Sequence, residues 1–212
     1  MSKERVSSKV RKRQIAVAAF ELICAQGIKR ISISSVAHRV GVVPSAIYRH
    51  FRGKLELLES VLGLIEESLQ RNLSEARATS CEPEVQLRHL LFLHTKLIRE
   101  NVAIPRLLFS DDVQFGDARL RKRTYGILRE YIGGVRKILD EGKEVGRVQA
   151  NVDSAAASLL FIGILQPAAL IWHLSEGSFD VTRQIEKAWE IYRAQVFSFP
   201  TGTRKNGQED TR

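Results

Sequence analysis

Apolar positions recur at helical spacing along nearly the whole chain. From about Lys9, Ile15, Ala18, Ala19, Leu22 and Ile23 share one face, and Gly27 is placed to stop the helix. Ser32 is placed to cap a second, short helix in which Ile33, Val36, Ala37 and Val40 follow the i, i+3, i+4, i+7 pattern, with Gly41 ending it. Pro44 suits the first turn of a third helix, where the amide proton it lacks would have no intrahelical partner; this helix runs to about His50. A fourth continues from Lys54 through Leu57, Leu58, Val61, Leu62, Ile65 and Leu69, and Thr79 to Pro83 reads as a break. Beyond it the pattern predicts helices at about 84–100, 104–110, 116–141, 153–174 and 180–198, with Gly142 and Gly146 marking the turn after the long one. Residues 200–212 form a polar tail whose composition predicts disorder. Five prolines and fourteen glycines leave little punctuation for a β-rich fold, so the expected class is all-α.

Two short helices joined by a glycine-containing turn, the second opening on polar residues, make a helix-turn-helix. Gly41 tolerates the left-handed backbone such a turn requires. In the helix that follows, Ile47 and Phe51 lie four apart and can anchor it to a core, which leaves Ser45, Tyr48 and Arg49 on the other sides. Those side chains suit DNA. Tyr48 and His50 can hydrogen-bond phosphate oxygens, Arg49 can reach a phosphate or a guanine edge, and Lys54 can clamp a phosphate from the start of the next helix.

The charge points the same way. The formal net charge is +9, and residues 1–60 hold twelve Lys/Arg against four acids, a net of +8, which leaves +1 for the other 152 residues. Clustered cations gain affinity for polyanions by releasing phosphate counterions. Cys24 and Cys81 are too few for a disulfide framework, no Cys/His spacing suits zinc, and the N-terminus lacks the apolar core of a secretion signal, so a cytoplasmic location is expected. No nucleophile with a base, phosphate loop or carboxylate pair stands out, so no enzyme activity, cofactor or metal is expected. Ala155 to Trp172 carries only Ser158 and Gln166 as polar residues, close to the lower limit for a membrane span. It contains Pro167 and lacks flanking Lys/Arg clusters, so burial between helices is the expectation.

The stretch from Arg13 to Leu58, RQIAVAAFELICAQGIKRISISSVAHRVGVVPSAIYRHFRGKLELL, resembles the DNA-binding domain of the TetR family of bacterial transcriptional repressors. The shared pattern includes Ile15 to Ala19, Gly27, Ser32, Val36-Ala37, Gly41-Val42, Tyr48, His50-Phe51, Lys54 and Leu57, about a fifth of the chain. The resemblance implies a helix-turn-helix DNA-binding domain over 9–60, with its recognition helix at about 44–50 in the major groove, and a larger helical ligand-binding and dimerisation domain over 61–199. Tyr48, His50 and Lys54 would meet the backbone, Pro44, Ser45 and Arg49 would lie where such proteins touch bases, and Ser32 and Ser34 join the DNA-contacting set. Two positions depart from the pattern: Val43 stands where a Ser or Thr often caps the recognition helix, and Ala46 replaces a frequent Thr or Gly.

The resemblance further implies a homodimer through the helices at about 153–174 and 180–198, a palindromic double-stranded operator and a small-molecule inducer. Candidate lining groups are Phe92, His94, Leu108, Phe109, Tyr125, Phe161, Gln166, Trp172 and His173, whose largely apolar character favours a hydrophobic or amphipathic ligand. His89 and His94 are five apart and share no helical face, which argues against a metal site. Gly126 and Gly133-Gly134 in the long helix could permit a conformational shift or allow close helix packing, and close packing is the preferred reading. The alternative is a protein of the same fold that binds DNA without a small inducer, for instance in chromosome organisation.

Overall fold

A computed structural model of the chain describes residues 7–198 apart from 102, 103, 105, 106, 108, 109, 112, 114 and 115. Among the described residues there are eight α-helices and no named strand: α1 (Ser8–Gln26), α2 (Ile33–Val40), α3 (Pro44–Tyr48), α4 (Lys54–Thr79), α5 (Pro83–Glu100), α6 (Ala118–Glu144), α7 (Ser154–Leu174) and α8 (Val181–Val196), with a 3-10 turn at Ile28–Arg30. The helix expected at 104–110 falls largely on residues outside this description, as does the tail at 200–212.

Helix ends follow from local chemistry. Ser32 accepts the amide of Ser35 at 3.0 Å while the Ser35 hydroxyl accepts the amide of Ser32 at 2.9 Å, a reciprocal capping box at the start of α2. Gly41 ends α2 in the left-handed region at φ 73°, where its lack of a β-carbon avoids strain. Asp117, Asp153 and Asp180 cap α6, α7 and α8 through carboxylates that accept first-turn amides. The carboxyl of Asp153 is held below its ordinary range by the amides of Ala156 and Ala155.

One contiguous core runs from Ile15 to Phe197. Helix α4 joins its parts. Its first turns bury Leu57, Leu58, Val61 and Leu62, and the same helix continues through Ile65, Leu69, Leu73 and Ala76. A boundary at 60/61 therefore falls inside one unbroken helix. Adjacent α4 residues reach in two directions, Glu67 to Arg13 of α1 and Glu66 to Arg123 of α6, and Arg77 meets Glu141 of α6 at 2.9 Å. A β-carbon on Gly134 would fall 2.1 Å from a Leu73 methyl, and one on Gly142 would fall 2.6 Å from Val148 and 2.8 Å from Pro83. Nothing lies within 4 Å of such an atom on Gly126 or Gly133, so of the three glycines expected to allow close packing only Gly134 does so.

Helix α7 is long and apolar enough to cross a membrane by length and composition, yet one side of it packs on α6 and α8. Phe161 and Leu165 are buried there, whereas Leu159, Leu160, Leu170, Ile171 and Leu174 face outward. The apolar stripe of α8 is turned inward: Val181, Ile185, Trp189, Tyr192 and Val196 are all buried.

Candidate nucleic-acid interface

Helix α3 is five residues long, and it is seated by Ile47, fully buried, and by Phe51 just beyond its end. It is shorter than the expected 44–50. The amides of His50 and Phe51 both return to the Ile47 carbonyl, at 2.9 and 3.0 Å, so Arg49 and His50 form the closing turn. Val43 gives no side-chain cap; its carbonyl accepts the Ala46 amide at 2.9 Å, and Pro44 removes one of the orphan donors.

This arrangement brings the expected contact residues to one end of the molecule. Pro44, Ser45, Tyr48 and Arg49 are exposed beside α3, and Ser32 and Ser34 are exposed at the start of α2. His50 is half-buried, its Nδ1 3.5 Å from the Ser8 hydroxyl. Lys54 is more constrained than the sequence suggests. Its ammonium donates to the Ile28 carbonyl at 3.2 Å, tying the 3-10 turn to the start of α4 and leaving two N–H groups for an anion. Val43 is 64% exposed at the leading edge of α3, an apolar group beside the exposed Pro44.

A supporting network escaped the sequence reading. Glu56, in the first turn of α4, accepts the Arg52 amide at 2.8 Å and the Lys12 ammonium at 2.9 Å, and Lys12 lies 5.0 Å from the centre of the Phe51 ring. The Arg52 amide first, and then Lys12, hold the Glu56 carboxyl below its ordinary range. A Glu three residues into a helix that opens on Gly53 was the available signal. Arg39 pairs with Glu21 at 2.8 Å and Arg13 with Glu67, so part of the N-terminal charge is spent on structure. Among the described residues no carboxylate lies within 4 Å of Arg30, Arg49 or Arg52, which remain available to phosphates.

The expected ligand-lining residues do not converge in the same way. Phe92 (α5) and Trp172 (α7) line one cavity of about 600 Å³. Tyr125 is 64% exposed with Arg129 5.9 Å from its ring centre, and Gln166 lies on the outer side of α7. Phe161 is fully buried, edge-on to Tyr192 at 5.9 Å, and serves the core. His173 is half-buried near the end of α7. Leu108 and Phe109 lie outside the described residues. His94 Nδ1 and the Tyr131 hydroxyl share a 2.9 Å hydrogen bond; burial holds His94 down to about 4, so it is neutral, and pushes the Tyr131 hydroxyl up. His89 stacks on Phe92 at 6.2 Å, and among the described residues no group of His, Cys, Asp and Glu could hold a metal.

Comparison with known proteins places this geometry. Residues 15–61 match the family model of bacterial regulatory proteins, tetR family, and residues 58–194 match that of the YsiA-like protein, C-terminal region. A nucleoid occlusion factor SlmA from Vibrio vulnificus is 25% identical over 178 residues, 84% of this chain and 91% of the relative. Among solved structures, the transcriptional regulator FadR from Bacillus subtilis, in complex with stearoyl-CoA, superposes with a TM-score of 0.75 at 20% identity, covering 86% of this chain and 98% of that one. A TetR transcriptional regulator from Chloroflexus aurantiacus gives 0.77 at 18% identity, covering 91% and 98%.

Proposed function

The chain belongs to the TetR family of bacterial transcriptional regulators, and from that premise we propose that it is a cytoplasmic repressor that binds a palindromic operator as a homodimer and is released by a small amphipathic ligand. One observation carries the DNA reading: a short helix seated by Ile47 and Phe51 presents Ser45, Tyr48 and Arg49 outward from the most basic part of the chain. Ser45 and Arg49 read base edges, while Tyr48, His50 and the free donors of Lys54 hold phosphates. Ser32 and Ser34 meet the backbone beside the start of α2. The dimer reading is supported by the outer side of α7, where Leu160 is 65% and Leu174 73% exposed, continued by Ile191 of α8 at 71%.

Release follows from linkage. A ligand that prefers a conformation with the wrong spacing between recognition helices weakens DNA binding by its differential affinity for the two states and by no more. The continuous α4, tied to both α1 and α6, is the element able to carry such a shift. Similarity to a regulator solved with stearoyl-CoA supports an amphipathic ligand. A second reading, DNA binding in chromosome organisation without an inducer, is favoured by the relatives named as nucleoid occlusion factors.

Fluorescence anisotropy with the DNA upstream of the coding region, titrated at two salt concentrations against scrambled competitor, tests the proposal. Binding that survives the competitor, weakens with salt and falls at least tenfold in Tyr48→Ala supports operator recognition. Binding equal to that of scrambled DNA overturns it and leaves a general DNA binder.

A further inference from the structure

Along one flank, α5 and α8 run antiparallel and are pinned at two points. Arg193 Nε donates to Glu84, and Arg99 donates to the Thr182 hydroxyl at 3.4 Å. Between these pins the helices stand apart. The groove they leave has a volume of about 790 Å³ and continues past Phe92, Thr95 and Thr182 into the 600 Å³ cavity beneath Trp172. Pockets for drug-sized ligands run from about 300 to 1,000 Å³.

Three features of this groove lack an internal explanation. Its α5 wall carries Val85, 44% exposed, and Phe92, 63% exposed despite the His89 ring stacked on it, two turns apart on the same face. Trp189, only 2% exposed, lines the groove with Leu91 and Ile185, and its indole N–H is buried without an acceptor. Buried donors are normally satisfied, and this one, just behind the groove wall, is not. The rim carries Arg88 from α5 and Arg183 and Lys187 from α8, none with a carboxylate within 4 Å among the described residues. Of the two acids in the groove, Glu190 is already paired with Arg193 at 3.3 Å, and Glu186 alone faces the three cations.

We propose that this groove binds a small amphipathic carboxylate. Its apolar body lies across Phe92 and Leu91, and its carboxylate meets the guanidinium groups of Arg88 and Arg183, whose planar fork suits that anion. This rests on the ligand-responsive reading above and assigns its site. The site is an external groove between α5 and α8, apart from the buried His94 and Tyr131 pair.

The chain has two tryptophans, and they line the two lobes of this groove, so intrinsic fluorescence reports its occupancy directly. The full chain is titrated with dodecanoate below its micellar concentration, with 1-dodecanol as the uncharged analogue and inorganic phosphate as the bare anion. The expected result is a saturable change with dodecanoate, at least tenfold weaker binding of dodecanol and none of phosphate. Arg88→Glu combined with Arg183→Glu should weaken dodecanoate at least tenfold with an unchanged melting temperature, because both side chains are exposed and unpaired. No saturable change, equal affinity for dodecanol, or undiminished binding in the charge-reversed variant overturns the proposal. Operator anisotropy on the same samples separates the two readings: intact DNA binding with no dodecanoate site sinks this assignment alone, whereas lost DNA recognition sinks the repressor reading whatever the groove binds.

Discussion

In the proposed DNA complex, position 43 would set helix stability against recognition. Val43 cannot cap α3, and its side chain is left 64% exposed beside Ser45 and Arg49, the proposed base contacts. A branched apolar group there suits the methyl of a thymine in the major groove. Val43→Ser should therefore raise the melting temperature, since a cap contributes about 1 kcal/mol, while weakening operator binding at one base-pair position by about 1 kcal/mol. Thermal unfolding and a base-substitution scan of the operator read the two effects, and loss spread evenly over all positions would exclude a thymine contact. In the helical domain that follows, His94 of α5 titrates against folding. Its folded value of about 4 lies below the unfolded value of ~6.5, so between these the unfolded chain binds the extra proton and stability falls as pH drops. Because His94 as a residue is only partly buried, the loss should be on the order of 1 kcal/mol by pH 5. Denaturant unfolding from pH 7 to 4 measures it, and His94→Gln should flatten that part of the profile; an unchanged slope would show that His94 is not its source.

Among the elements, α6 shows how a glycine can be read wrongly from its surroundings in sequence. Gly142 looks like a turn residue beside Gly146, yet it is helical, and it lets Val148 and Pro83 close over the helix. Gly142→Ala should cost about 1–3 kcal/mol, since neither a branched valine nor a proline ring can yield easily. The same change at Gly133 should be neutral or slightly stabilising, because its added methyl meets nothing and alanine favours the helix. Thermal melts of the pair distinguish packing from propensity. Helices α2 and α4 were legible because each repeats apolar residues on a single face beside a cap or a glycine, and α1 because its apolar run ends at Gly27. The end of α3 was not. A five-residue helix has too few positions for a period, and where it stops depends on the Ile47 carbonyl accepting two amides.

For the whole molecule the outer side of α7 matters most. Leu160 is exposed in the chain, so Leu160→Glu should leave helix content and packing intact while converting the proposed dimer to monomer in sedimentation equilibrium, with affinity for the proposed operator reduced at least tenfold. A variant that stays dimeric would place the interface elsewhere. The amino-acid sequence by itself determined the helical class, the helix-turn-helix and its outward polar set, because those rest on periodicity, caps and charge within a few dozen neighbouring residues. Only the tertiary structure decided that α7 keeps an uncovered apolar side while α8 turns its stripe inward. It alone placed Phe161 in the core, aligned Phe92 with Trp172 along one cavity, and left the Trp189 N–H without an acceptor. Those outcomes depend on how helices far apart in the chain pack against one another, and a side chain's own neighbours in sequence do not specify which of several apolar surfaces it will meet.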